Sequence, residues 1–107
     1  EFLYVEDLAD ACLFLMGLDD STFAAAVSCP GSVLNAGTGE DITIRDLALL
    51  IKDAVGFTGA LEFDASKPDG APRKLLDSGR LRALGWAPKT SIDEGIRRTY
   101  EWYRGAA

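Results

Sequence analysis

Lys67-Pro-Asp-Gly-Ala-Pro-Arg-Lys74 concentrates the groups in this chain best suited to hold an anion. Three cations and one carboxylate project from eight residues. Pro68 and Pro72 stiffen the segment and Gly70 permits a sharp bend, so it reads as a turn-rich loop. Proline ahead of Asp-Gly preorganises the loop and reduces the ordering entropy lost when a ligand docks. Arg73 can fork onto phosphate oxygens, and Lys74 can add a point charge. Asp69 cannot bind phosphate favourably. It can accept from ribose hydroxyls, or from the two adjacent N–H groups on a guanine edge. Cations beside one acceptor suit a sugar nucleoside diphosphate. The same residues also fit an exposed charged connector in which Asp69 only stabilises a turn, and both readings stay open at this point.

Other chemistry is scarce. The chain has no histidine, which excludes a Ser-His-Asp triad, a histidine base and histidine metal ligands within these residues. Cys12 and Cys29 lack metal-ligand spacing, so no zinc site is expected. Cys12 falls on the apolar side of a predicted helix and is expected in the core, and Cys29 is placed in a loop. Their small number fits a reduced, cytoplasmic setting. Gly37-Thr-Gly39 lies between a predicted strand and a predicted helix, the context of a phosphate loop. It lacks the third glycine of a dinucleotide fingerprint, and no Gly-Lys-Ser/Thr follows. It is read as a turn that reverses the chain.

With 107 residues the chain is sized for one small domain, and 48% apolar with 26% charged residues is an ordinary globular balance. No apolar run is long enough to span a bilayer. The net charge of −6 argues against nucleic acid as a partner. Its distribution is uneven: residues 1–66 carry 2 basic and 12 acidic side chains, residues 67–107 carry 9 and 5. Such asymmetry can mark where an anion binds, or merely reflect helices with basic solvated faces. The sequence opens on Glu1 and Phe2 without a Met, so it is expected to be a piece of something longer.

These residues need positioning. Glu6 and Asp7 favour a helix start, and Leu8, Ala11, Cys12, Leu15 and Met16 follow at helical spacing, with Gly17 as a stop. Residues 19–32 read as a loop with some helical character around Ala24 to Val27. Short strands are expected at Ser32 to Ala36 and Leu61 to Phe63, with Leu75-Leu76 as a candidate third. Thr43 and Asp46 form a capping pattern ahead of the clearest amphipathic helix (Ile44, Leu47, Ala48, Ile51, Ala54, Val55), which Gly56 closes. Asp77 is expected to cap a short helix ending at Gly85, weakened by Gly79. Ser91 and Glu94 open a final helix with Ile92, Ile96, Thr99, Tyr100 and Tyr103 on its inner face. So few strands cannot make an independent sheet, so they are expected to complete one whose other strands lie elsewhere, leaving apolar surface uncovered here.

Residues 1–11 (Glu1-Phe-Leu-Tyr-Val-Glu-Asp-Leu-Ala-Asp-Ala11), Leu34-Asn-Ala-Gly-Thr-Gly39 and Thr43-Ile-Arg-Asp-Leu47 resemble segments of the extended short-chain dehydrogenases/reductases. Phe63-Asp-Ala-Ser-Lys-Pro-Asp-Gly-Ala-Pro-Arg-Lys-Leu-Leu-Asp77, followed by Arg80-Leu81 and Leu84-Gly-Trp86, is similar to the GDP-L-fucose synthase family within that superfamily. The resemblance implies an α/β fold, α+β in isolation. Residues 1–107 would form a small, mostly helical C-terminal substrate-binding lobe with two or three short strands. An N-terminal Rossmann domain outside this chain would bind NADP. The implied reaction is epimerisation and reduction of GDP-4-keto-6-deoxy-D-mannose to GDP-L-fucose.

By this resemblance no catalytic residue lies here. The family uses a Ser-Tyr-Lys set with a cysteine and a histidine. Cys12 and Cys29 are outside the matching motif, Tyr4 is not in a Tyr-x-x-x-Lys arrangement, and the substrate-contacting arginine would precede Glu1. What carries over is the substrate loop, with Asp69 on the nucleoside and Lys67, Arg73 and Lys74 on the diphosphate. Ser78-Gly79 departs from the family pattern and is expected to soften the helix after Asp77. The implied partners are a GDP-sugar, the enzyme's own Rossmann domain and a possible second copy. Neither a metal, a membrane nor nucleic acid is expected. Two other readings are a related nucleotide-sugar 4-epimerase or dehydratase, and a stand-alone, non-catalytic nucleotide-sugar-binding module.

Overall fold

The computed structural model describes residues 1–28 and 33–106. Its elements are α1 (Val5–Met16), α2 (Asp20–Val27), α3 (Ile44–Val55), α4 (Gly79–Ala83) and α5 (Ile92–Ala106). Each main boundary has a local cause. α2 starts where Asp19 accepts the Thr22 N–H at 2.9 Å. Thr43 accepts the Asp46 N–H at 3.0 Å and donates its hydroxyl to the Asp46 carboxylate at 2.6 Å, closing the expected box at the start of α3. Gly56 ends α3 in the left-handed conformation, φ 68°, which glycine adopts without a Cβ penalty. Ser91 Oγ accepts the Glu94 N–H at 3.3 Å ahead of α5. At α4, Asp77 accepts the Gly79 N–H at 2.9 Å, while Ser78 takes the N-cap position without a side-chain bond.

The expected strands are not formed. Among the described residues none is assigned to a strand, and residues 33–36, 61–63 and 75–76 have no ladder partner. Backbone extended by β-branched and apolar side chains becomes a strand only when a neighbour takes its N–H and C=O groups. Here a side chain meets one of those groups instead: Arg80 donates to the Val33 carbonyl at 3.0 Å, and also to the Ala26 carbonyl in the last turn of α2. Ser32 and Cys29 lie outside the described residues.

The core is small. Ala11, Leu81 and Trp86 are fully buried, with Leu3, Phe14, Leu15, Ala36 and Leu84 packed around them. The inward stripe of α1 therefore runs through Asp7, Ala11 and Phe14, at i, i+4 and i+7. Cys12, one residue and about 100° further round, is exposed, contrary to the expectation of a core cysteine. Leu8, Leu13 and Met16 are exposed as well. A helix apolar on more than one face is built to be covered on more than one face.

α3 packs on α5. Their junction with residues 2–5 is an apolar cleft of ≈ 550 Å³, lined on the α5 side by Ile92, Ile96, Tyr100 and Tyr103. The radius of gyration is 17.3 Å, against about 13 Å for a compact domain of this length. The accessible surface is 7952 Å², against about 5,800 Å² for a compact monomer of this mass. That surplus is the size of a substantial protein–protein interface.

Candidate functional site

The loop between α3 and α4 is built from its two ends. At its start Asp64 accepts the Ser66 N–H at 2.9 Å and its hydroxyl at 2.6 Å, and these bonds hold the Asp64 carboxyl below its ordinary range. The Lys67 N–H then donates to the Asp64 carbonyl at 3.3 Å. At its end the Leu76 N–H donates to the Glu1 carboxylate at 2.8 Å, and Asn35 Nδ2 donates to the Asp77 carbonyl at 3.2 Å.

Lys67, Asp69, Arg73 and Lys74 are all exposed. Arg73 Nε donates to Asp41 Oδ2, and the bond from this guanidinium lowers the Asp41 carboxyl below its usual value. Arg73 and Lys74 share a cleft of ≈ 540 Å³ with Pro72, Asp41, Ile42 and residues 1–2. Lys67 and Asp69 do not line that cleft; they lie on the preceding part of the loop. The structure thus brings two of the four expected site residues together. Its lining sets Arg73 and Lys74 beside apolar residues, with the carboxylates of Asp41 and Glu1 both already engaged.

Internal pairing uses part of the charge asymmetry. Besides Arg73 and Asp41, Lys89 meets Asp10 at 3.2 Å, and Arg98 approaches Glu6 at 3.9 Å while Glu94 accepts from it at 2.8 Å. Acid from the first half is thereby spent on base from the second. Arg97 is held by Asp93 and Glu94 on α5.

The sequence reading missed Glu1, Asp7, Asp10 and Arg82 as structural groups. Asp7, expected as a helix-dipole residue, is buried and accepts from Thr90. Asp10 accepts the Trp86 indole N–H at 3.0 Å, and this bond, with that from Lys89, lowers its carboxyl. Arg82 donates to the Thr38 carbonyl. The available signal was two carboxylates at i, i+3 on the same helix as a short apolar stripe. The Gly37-Thr-Gly39 turn does face an anion, the carboxylate of Glu1: Gly39 N–H donates to it at 2.7 Å and the Thr38 hydroxyl at 3.2 Å. The turn is therefore filled from within the chain and does not fit a dinucleotide pyrophosphate.

No protein-family model matches the sequence. Relatives and solved structures do. GDP-L-fucose synthase 1 of Arabidopsis thaliana is 49% identical over 107 residues, covering 96% of this chain and 29% of the relative. GDP-L-fucose synthase of Escherichia coli K12 is 47% identical over 103 residues, covering 96% and 32%. The solved GDP-mannoheptose C4 reductase of Campylobacter jejuni, with NADP bound, superposes with a TM-score of 0.74 at 35% identity, over 92% of this chain and 29% of that one. The lobe therefore has the fold of part of an extended short-chain dehydrogenase/reductase acting on nucleotide sugars. Within that class its kinship is with the GDP-L-fucose synthases, and it spans about a third of their length.

Proposed function

We propose that this chain is the GDP-sugar-binding part of an NADP-dependent epimerase–reductase that converts GDP-4-keto-6-deoxy-D-mannose to GDP-L-fucose. The observation that carries the proposal is 47–49% identity to GDP-L-fucose synthases across nearly the whole chain. In support, Arg73 and Lys74 meet on one cleft in the loop where that resemblance is most specific. In this reading they hold the diphosphate, Lys67 adds charge at the loop's outer part, and Asp69 accepts from the nucleoside. The Ser-Tyr-Lys set and the glycine-rich cofactor loop belong to the Rossmann domain outside this chain, and NADP binds there. These residues bind and orient substrate; hydride and proton transfer are done by the other domain.

The surplus surface supports the same arrangement. The apolar cleft beside α5 and the uncovered face of α1 are assigned to the enzyme's own cofactor domain rather than to a second copy. In support, the chain covers only 29% of the Arabidopsis relative, which leaves room for such a domain. A second reading, reduction of a different GDP-linked sugar, is favoured by the Campylobacter neighbour, which is named for a GDP-mannoheptose. It keeps the nucleotide site and changes the sugar.

Calorimetric titration of the full-length protein with GDP tests the loop. Asp69→Ala and Arg73→Ala are each expected to weaken binding about tenfold, the loss of one charge-assisted hydrogen bond. Affinity equal to wild type in both variants would remove the assignment.

A further inference from the structure

We propose that Glu1 is the positioning residue of the nucleotide loop, clamping residues 74–76 against the Gly37-Thr-Gly39 turn. The inference deepens the functional reading above and rests on it for the ligand. Glu1 touches the loop twice. Its backbone nitrogen donates to the Lys74 carbonyl at 3.0 Å, and its Oε2 accepts the Leu76 N–H at 2.8 Å. Its Oε1 accepts from Gly39 N–H at 2.7 Å and from the Thr38 hydroxyl at 3.2 Å. One carboxylate thus joins two segments 37 residues apart, with both oxygens engaged. Charge-assisted bonds of this kind are the strong ones.

Gly37 supplies an independent observation. It is buried, and a Cβ built there would lie 2.4 Å from Glu1 Oε1 and 2.8 Å from its Cδ. The position admits only glycine while the carboxylate stays seated. The seat is reinforced from behind, because Arg82 of α4 donates to the Thr38 carbonyl. The consequence for the loop is geometric. Asp41 holds the Arg73 side chain from one side, and Glu1 holds the Lys74–Leu76 backbone from the other. Glu1 thus sets where the backbone that carries the two cations stands at the cleft, while Asp41 restrains the Arg73 side chain.

The test uses the full-length protein with Glu1→Ala, Glu1→Gln and Gly37→Ala. Amide hydrogen exchange is read on peptides covering 37–40 and 74–78, and GDP affinity by calorimetry. In Glu1→Ala, exchange is expected to rise about tenfold in both peptides together, since both lose one anchor. GDP affinity is expected to fall about tenfold. Glu1→Gln, which keeps one acceptor oxygen, is expected to fall between wild type and alanine. Gly37→Ala unseats the carboxylate with Glu1 still present, and is expected to reproduce Glu1→Ala. A core variant, Ala11→Gly, is the folding control: it is expected to lower Tm with GDP affinity unchanged. Unchanged exchange at 74–78 in Glu1→Ala overturns the inference, as does a loss of affinity in Ala11→Gly equal to that in Glu1→Ala. If wild type binds no GDP, the nucleotide reading fails, and exchange at 74–78 alone decides whether Glu1 clamps the loop.

Discussion

The carboxylate of Asp7 accepts the backbone N–H of Thr90 at 2.9 Å and its hydroxyl at 3.2 Å, joining the first turn of α1 to the turn that launches α5. Asp7 is only 5% exposed, so water does not compete well for these bonds. The two residues stand 83 positions apart, and the contact closes almost the whole chain.

Removing that acceptor leaves a poorly hydrated N–H without a partner. Asp7→Ala is expected to destabilise the protein by about 1–3 kcal/mol. Asp7→Asn, whose amide oxygen can still accept, is expected to lose less. Chemical denaturation midpoints of the two variants check the order; equal losses would show that packing around the side chain, not the bond to Thr90, matters.

Asp41 competes with any anion for Arg73. Both side chains are open to solvent, so their pairing contributes little to stability. Asp41→Asn is therefore expected to leave Tm nearly unchanged while strengthening GDP binding two- to fivefold. Titration at two salt concentrations checks this, since the gain should shrink as salt screens the charge. Weaker binding in Asp41→Asn would mean that the ion pair orients Arg73 rather than restrains it.

The Glu1 carboxyl sits below its ordinary value of 4.5. Burial pushes it up, but the N–H groups of Leu76 and Gly39 and the hydroxyl of Thr38 outweigh that and bring it down. A carboxyl depressed in the folded state stabilises fully above its unfolded value and loses that contribution as pH falls through the folded one. Protection of residues 74–78 from exchange is thus expected to hold above about pH 4.5 and to fade below it. Glu1→Gln, with nothing to titrate, is expected to lose this pH dependence.

Uncovered apolar surface should reveal itself when the chain is made alone. Val5, Leu13, Met16 and Trp102 are each about 70–80% exposed. The isolated chain is expected to bind a hydrophobic dye strongly and to self-associate, and the full-length protein to do neither. Trp102→Lys is expected to reduce dye binding in the isolated chain and to lower Tm in the full-length protein. A full-length protein indifferent to this change would show that nothing covers this surface. No helix among the described residues is long and apolar enough to cross a membrane.

By itself the sequence determined what short-range forces decide. Thr43 with Asp46, Gly56, and Ser91 with Glu94 marked the bounds of α3 and α5, because capping and left-handed glycine depend on residues within one turn. The loop from Lys67 to Lys74 was legible for the same reason: its prolines, glycine and charges are a local composition, and the family resemblance lies in those same residues. Only the tertiary structure decided what depends on distant partners. Asp7 and Asp10 turned inward because Thr90 and Trp86 meet them across the chain, which rotated the buried stripe of α1 away from Cys12. The extended segments stayed unpaired because no second strand stands beside them among the described residues. Arg73 and Lys74 came to one cleft, and Lys67 and Asp69 did not, because Glu1 and Asp41 hold only the far end of the loop.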